Sequence, residues 1–390
     1  MLERRINRRR FLEVTGAAGA TVAFGNALKS SGPVKIGFLT AFTGIETILG
    51  LTQYNCFKMA VDEINAKGGI AGRQIQVFKE DDHTDTRTTI SKMDKLVKQD
   101  GVGVTIGLIS SLERQAAMSV APRLGGLVMY TTYYEGGVCN KYLISTGQVP
   151  NQQIDPMIPY LMKHVGKSLF VVGSDYVWPR GSADWIKKRI TEHGGTYLGD
   201  IFFPFGTTDF SPAIRAIRAK KPNIVWQMVV GSDSVTWAKQ FHEAGLKVQL
   251  ASSGIDEIGT YTTPAAYAGA LVNQAWFMTL GTPASKQFVQ KYHKLFGPGK
   301  PIDAIAEAAY DSVYLYKAAV EKAGSTDTDK VLKAFPEVGF NAPQGHVTID
   351  KKTQVMVCHS LLGIAQPNGA IKILENFGPI KPVVPCLRKA

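Results

Sequence analysis

From Val34 onward, short apolar runs alternate with stretches whose apolar residues recur at helical spacing, and this alternation constrains the fold more than any other feature. Val34-Lys35-Ile36-Gly37-Phe38-Leu39 reads as a first strand. Tyr54, Phe57, Val61 and Ile64 then recur at steps of three and four residues, which lays one apolar stripe along a helix. Gly68-Gly69 ends that helix, as glycines do at helix C-termini. Ile75–Phe78 is the next strand, a helix covers about 88–99, and Val102–Ile109 is strand three. This β-α-β-α order predicts a parallel sheet with helices on both faces.

The rhythm restarts after Pro150, with helices expected at about 155–164, 183–193 and 211–220. Strands are expected at 168–172, 197–203, 224–230, 248–252 and 273–277. A long helix follows over Ala304–Ala323, with Ile305, Ala309, Val313, Tyr316 and Val320 on one stripe and Gly324 at its end. From His346 to Leu374 the pattern turns β-like, and Asn368-Gly369 reads as a hairpin turn. Two successive βα sets predict an α/β chain of two doubly wound, parallel-sheet lobes.

Ahead of this body lies a basic segment. Residues 1–30 carry six Lys and Arg against two acids, which is four of the chain's twelve excess positive charges. Arg8-Arg9-Arg10-Phe11-Leu12 is followed by a small-residue, weakly apolar stretch too short to span a bilayer, which takes about 20 apolar residues. That order of charge, apolar core and small residues is the layout of an export signal. It resembles the twin-arginine type, with Glu13 where a lysine is common. Residues 1–27 are the expected signal. No cysteine precedes Cys56, so a lipid anchor is not expected, and the mature protein is expected free in the periplasm. The remaining excess charge is dispersed among acids along helix faces, which gives no nucleic-acid stripe. At 45% hydrophobic and 19% charged residues, the 390-residue chain is an ordinary globular one.

Cys56, Cys139, Cys358 and Cys386 include no Cys-x-x-Cys pair, so zinc and thioredoxin chemistry are not indicated. Cys358 and Cys386 share the last segment, which leaves a bridge between them open. Gly166-Lys167-Ser168 looks like a phosphate loop, but Leu161 stands where its first glycine belongs and the triplet precedes its strand. No Gly-x-Ser-x-Gly elbow and no His-x-x-x-His spacing occurs. Read as a calcium loop from Asp81, the acidic run has Thr86 where glycine and Lys92 where glutamate are required. No cofactor, no metal and no enzymatic activity are expected.

The loops after the strands carry hydroxyls and aromatics, where doubly wound sheets bind ligands. They are Ile109-Ser110-Ser111, Tyr130-Thr131-Thr132-Tyr133-Tyr134-Glu135-Gly136, Gly173–Arg180 and Gly231-Ser232-Asp233. Four such loops suit a small polar ligand closed between two lobes.

Two runs, Lys35–Thr40 with Gly44 and Ala60-Val61-Asp62-Glu63-Ile64-Asn65-Ala66-Lys67-Gly68-Gly69-Ile70-Ala71-Gly72, resemble the type I periplasmic binding proteins of the leucine/isoleucine/valine-binding family. Tyr134-Glu135-Gly136, Pro150-Asn151-Gln152-Gln153, Gly173-Ser174-Asp175-Tyr176 with Pro179-Arg180, and Ala342-Pro343-Gln344-Gly345 are similar to its urea and short-chain amide branch. The resemblance implies lobe one at 34–149 plus 279–336 and lobe two at 150–278 plus 337–390, joined by a hinge of three crossing strands. It implies capture of a small solute (urea, a short amide or an amino acid) for the membrane permease of an ABC importer. The receptor would be a monomer, with a dimer as the alternative. Other readings are an amide-sensing regulator of the same fold and a receptor for branched-chain or aromatic amino acids.

By motif, Ser111, with Ser110 before it, contacts the solute from lobe one, with Thr132 and Tyr133 in the following loop. By the same resemblance Tyr176 is expected to cover it from lobe two with Trp178 nearby, Gly231, Ser232 and Asp233 to line the wall, and Glu257 to be a further candidate for a carboxylate. Ile109 stands where amide binders tend to place a tyrosine, which opens the site to a larger or more apolar solute than urea. Ser111→Ala and Tyr176→Ala are each expected to weaken binding while leaving thermal stability nearly unchanged.

Overall fold

Seven consecutive residues from Val34 to Thr40 form β1, six of them buried, between two parallel neighbours in a five-stranded sheet. The computed structural model describes residues 32–138 and 140–383. The expected export signal, Cys139 and Cys386 lie outside the described residues, and with Cys386 the Cys358–Cys386 bridge. Helix α1 (Thr47–Ala66) follows, burying Phe57, Val61 and Ile64 from the stripe read in the sequence. Gly69 closes it with φ +82, its N–H donating to Ile64 O at 2.9 Å. A side chain there would also run into Arg73 O.

Next come β2 (Ile75–Asp81), α2 (Thr86–Lys98), β3 (Val104–Gly107), α3 (Ser111–Val120), β4 (Leu127–Tyr130) and β5 (Leu143–Ser145). The sheet order is β2-β1-β3-β4-β5 with every pair parallel. Helix α3 has no counterpart among the expected helices. Ser110 caps it, and Glu113 returns a bond to the Ser110 N–H, a capping box legible as Ser-x-x-Glu.

The second set runs α4 (Pro150–His164), β6 (Ser168–Ser174), α5 (Val177–Glu192), β7 (Thr196–Phe203), α6 (Ser211–Lys220), β8 (Ile224–Met228) and α7 (Gly231–Glu243). It continues through β9 (Gln249–Ser252), α8 (Glu257–Thr262), α9 (Pro264–Tyr267) and β10 (Leu271–Gln274). After it come α10 (Pro283–Phe296), α11 (Ala304–Ala323), α12 (Thr328–Ala334), the hairpin β11 (Gly339–Ala342) and β12 (Gly345–Thr348), then β13 (Cys358–Ala365) and β14 (Ile371–Ile380). The second sheet has the order β14-β13-β10-β9-β8-β6-β7. Its strands are parallel from β7 to β10, but β13 and β14 are antiparallel, so this sheet is mixed rather than wholly parallel. The turn joining β13 and β14 contains Asn368-Gly369, as the sequence predicts.

Two α/β lobes result. Helices α10 and α11 leave the second sheet and pack on α1, so their apolar faces join the first lobe's core. The chain passes between the lobes three times, after β5, after β10 and before β13. The first and third passages run side by side: Met356 N donates to Ser145 O at 2.7 Å, and Ser145 N to Gln354 O at 3.0 Å. Glutamines stitch this region. Gln148 Nε2 donates to His359 O and Gln152 Nε2 to Met356 O and Ile380 O. Gln344 spans Glu307, Asp311 and the His359 N–H. The Pro150–Gln153 and Ala342–Gly345 motifs therefore serve the connections between lobes. Among the described residues no helix is long and apolar enough to cross a membrane, and no cluster of His, Cys, Asp or Glu is disposed to hold a metal ion.

Candidate functional site

The ends of β3, β4, β6 and β8 converge on a cleft between the two sheets. One narrow cavity there is walled by Ile109, Ser111, Tyr130, Thr132 and Tyr133 from the first lobe. Tyr176, Trp178 and Val230 close it from the second, and Glu46, Leu49 and Ile305 complete it. A second cavity shares Leu49, Tyr133 and Val230 with the first and continues past Gln227, Gly231, Ser234, Asp256 and Tyr267. Aromatic rings set the walls: Tyr133 lies 5.0 Å from Trp178, and Tyr176 5.3 Å from Phe205, between ring centroids.

Of the residues named from sequence, Ser111, Thr132, Tyr133, Tyr176 and Trp178 line the first cavity and Gly231 the second. Several already have partners. Ser111 Oγ donates to Glu135 Oε2 at 2.6 Å and accepts from Arg114 Nη1 at 3.1 Å. Removing this hydroxyl therefore disturbs a buried ion pair as well as the cleft, which corrects the expectation of unchanged stability. Thr132 Oγ1 donates to Leu108 O, which also receives Gln53 Nε2. These bonds hold Leu108 at φ +65, a left-handed conformation that costs a non-glycine residue about 1–3 kcal/mol and concentrates at functional sites.

Four others lie elsewhere. Ser110 is spent on capping α3. Ser232 is exposed, and its N–H donates to Ile45 O in the first lobe at 3.2 Å. Asp233 turns away from the cleft, its Oδ2 accepting from Gly206 N at 2.8 Å. Glu257 Oε1 accepts from Met278 N at 2.7 Å, and it is the preceding Asp256 that lines the second cavity. The phase of α8 decides this: Asp256 is its N-cap, accepting from Gly259 N, while Glu257 starts the first turn and turns to Met278 N.

The lobes touch across the cleft. Tyr133 OH donates to Gly254 O at 3.3 Å. Gly231 sits at φ +60, and a Cβ there would lie 2.6 Å from Ile45 O, so only glycine permits this approach.

Sequence reasoning missed Glu46, Asp256, Gln227 and Ile305. Glu46 is 1% exposed, and no donor among the described residues reaches its two carboxyl oxygens except through the proton it shares with Glu113. Burial pushes its carboxyl well above the usual carboxylate range, and Glu113 and Asp82 push the same way. Burial also raises Asp82, to about 8, and Asp256, to about 6. The phenols of Tyr130, Tyr133 and Tyr176 are held un-ionised by burial. Among the described residues no Lys, Arg or His lines either cavity. The nearby Arg114 is fully buried and neutralised by Glu135 at 2.6 Å.

One consequence is a pH dependence. Asp82 Oδ2 is buried without a partner, so its ionisation opposes the folded state. A carboxyl raised from 3.8 to about 8 contributes stability at low pH that is lost as pH climbs toward 8. Asp82→Asn keeps the acceptor for Thr84 N and removes the charge. It is expected to stabilise the protein at pH 8 by about 1–3 kcal/mol and to flatten the loss between pH 4 and 8. Urea unfolding across that range checks it, and a slope unchanged from wild type contradicts it.

The sequence profile described as periplasmic binding protein matches residues 33–368. Among curated proteins, "Leu/Ile/Val-binding protein homolog 3" of Brucella melitensis is 25% identical over 317 residues, 80% of this chain and 84% of the relative. "Leu/Ile/Val-binding protein BraC3" of Rhizobium johnstonii is 24% identical over 335 residues, 85% of this chain and 90% of the relative. Two solved structures share the fold. A solute binding protein of an ABC transporter from R. palustris, in complex with benzoate, superposes with TM-score 0.82 at 21% identity, covering 91% of this chain and 99% of that one. The branched-chain amino acid transporter substrate binding protein LivJ from Streptococcus pneumoniae, in complex with isoleucine, gives TM-score 0.77 at 23% identity, covering 89% and 100%. The match over most of its length and the shared two-lobed architecture establish that this chain belongs to the periplasmic binding protein family.

Proposed function

We propose that this protein, a periplasmic binding protein of the ABC-transporter type, captures a small nitrogen-bearing solute (urea, a short-chain amide or an amino acid) by closing lobe one, 34–149 plus 279–336, against lobe two, 150–278 plus 337–390. One observation carries the reading. The cleft is walled from both lobes and offers buried carboxyls, at Glu46 and Asp256, with no cationic side chain among the described residues that line it. Such a lining suits N–H donors and leaves a carboxylate-only solute without a counter-charge. Closure follows when the solute bonds to both walls, because a ligand shifts a hinge equilibrium only by its differential contacts.

A second reading, a branched-chain amino acid, is favoured by Ile48, Leu49, Ile255 and Ile258 along the second cavity, which suit an apolar side chain. The names of the curated relatives point the same way. In either case the partners are the solute and an importer's permease, and the protein is a monomer in the periplasm. A thermal-shift screen separates the readings: a solute at 100 times its dissociation constant adds about 2.7 kcal/mol to the folded state. A shift with urea or acetamide narrows the solute to an amide, one with leucine or isoleucine alone favours the branched-chain reading, and no shift with any amide or amino acid refutes both.

A further inference from the structure

We propose that Glu46, in the loop between β1 and α1, is the specificity-determining residue of the cleft, and that one of its buried, unpartnered carboxyl oxygens accepts an N–H from an uncharged planar amide or urea group. The inference rests on the solute-receptor reading given above. The first lobe's other polar groups in this cavity explain why Glu46 stands out there. Ser111, Tyr130, Thr132 and Tyr133 each spend their hydroxyl on a protein acceptor. Glu46 lines the same cavity, is buried, and receives nothing from the protein beyond the Glu113 contact. A buried acceptor left unfilled is costly, and a ligand that fills it is selected over one that cannot.

The charge arrangement selects an uncharged donor over a cation. Glu113 is the third residue of α3. Its Oε2 accepts from Ser110 N at 2.6 Å, and the helix N-terminus offsets its negative charge. The groups that face Glu46 are Glu113 on α3, Asp82 in the loop after β2, and the phenols Tyr130, Tyr133 and Tyr176. Burial raises the carboxyls of Glu46, Asp82 and Glu113 alike, and no cationic side chain lines the cavity among the described residues, so this group favours its uncharged forms. Glu46 then presents a neutral carbonyl-type oxygen, and glutamine reproduces it: its amide N–H can donate to Glu113 as the acid does, leaving its oxygen for the solute.

The test is calorimetric binding to the full chain at pH 7, using two pairs of equal shape and different charge: urea against guanidinium, and acetamide against acetamidinium. Wild type is expected to bind the uncharged member of a pair at least about tenfold more tightly. Glu46→Leu is expected to lose about 10- to 100-fold in affinity, and Glu46→Gln to restore binding to within about threefold of wild type. Thermal melting verifies folding; should Glu46→Leu not fold, Glu46→Gln with the charged pairs decides. Tighter binding of the cations, collapse of binding in Glu46→Gln, or undiminished binding in Glu46→Leu overturns the inference while leaving a solute receptor in place. Binding of leucine but of neither amide also overturns it. If no solute binds wild type, the receptor reading falls, and this inference with it.

Discussion

Replacing Arg114 with methionine is expected to lower the unfolding free energy by about 3–5 kcal/mol, the cost of stranding the partner of a buried ion pair. Arg114 has no exposed side-chain area, and Glu135, which it meets at 2.6 Å, keeps 11%. The guanidinium also lies 4.6 Å from the Tyr134 ring and 5.3 Å from that of Tyr130, and bonds Ser111 Oγ. Methionine fills the volume but leaves Glu135 with only the Ser111 hydroxyl of this network. The melting midpoint should fall by roughly 6 °C or more. Removing both charges, as Arg114→Met with Glu135→Gln, is expected to recover most of the loss, because a buried pair replaced on both sides costs far less than one broken on one side. Chemical denaturation of the two variants and the double reads the coupling directly. A double variant no more stable than Arg114→Met shows that packing, not the pair, carries the effect.

Tyr176→Ala is expected to act on binding, with a loss of about 30-fold or more in solute affinity, the scale of an aromatic anchor at the centre of a contact. Tyr176 stands at the start of α5, only 8% exposed, and its ring reaches the first cavity between Trp178 and Phe205. Alanine opens that wall to water and, on the proposed reading, removes the aromatic cover that the second lobe would place over the solute. Tyr176→Phe keeps the ring, so comparing the two variants by calorimetry separates cover from hydroxyl. Affinity within threefold of wild type in Tyr176→Ala would remove Tyr176 from the site.

Particular residues show how much of this was legible in the sequence. The strand and helix rhythm was, because burial on one face writes its period directly into the apolar pattern: the stripe through Phe57, Val61 and Ile64 and the 304–323 helix lie where the spacing puts them. Helix α3 was signalled by Ser110 and Glu113 three residues apart, a cap that reads from sequence once it is looked for. Helix α7 carried no such mark, since no side chain caps its start. The antiparallel placement of β13 and β14 depends on which edge of the sheet is open, which local pattern does not encode.

The site divides the same way. Tyr176, Trp178 and Ser111 stand out as aromatics and hydroxyls at strand ends, and they line the cavity. Choosing between Asp256 and Glu257 needs the phase of a helix only six residues long. Glu46 looks like an acid in an exposed turn; it becomes buried only when the first loop folds against Glu113 and Tyr176, Trp178 and Val230 of the second lobe close the cavity it lines. Tertiary assembly, not local sequence, creates its chemistry.

The most direct test of the account is a calorimetric titration of the wild-type protein at pH 7 with urea, acetamide, leucine and benzoate. A cleft walled by carboxyls and phenols without a cation predicts saturable one-to-one binding of at least one nitrogen-bearing solute and no saturable binding of benzoate. Saturable binding of benzoate alone would contradict it.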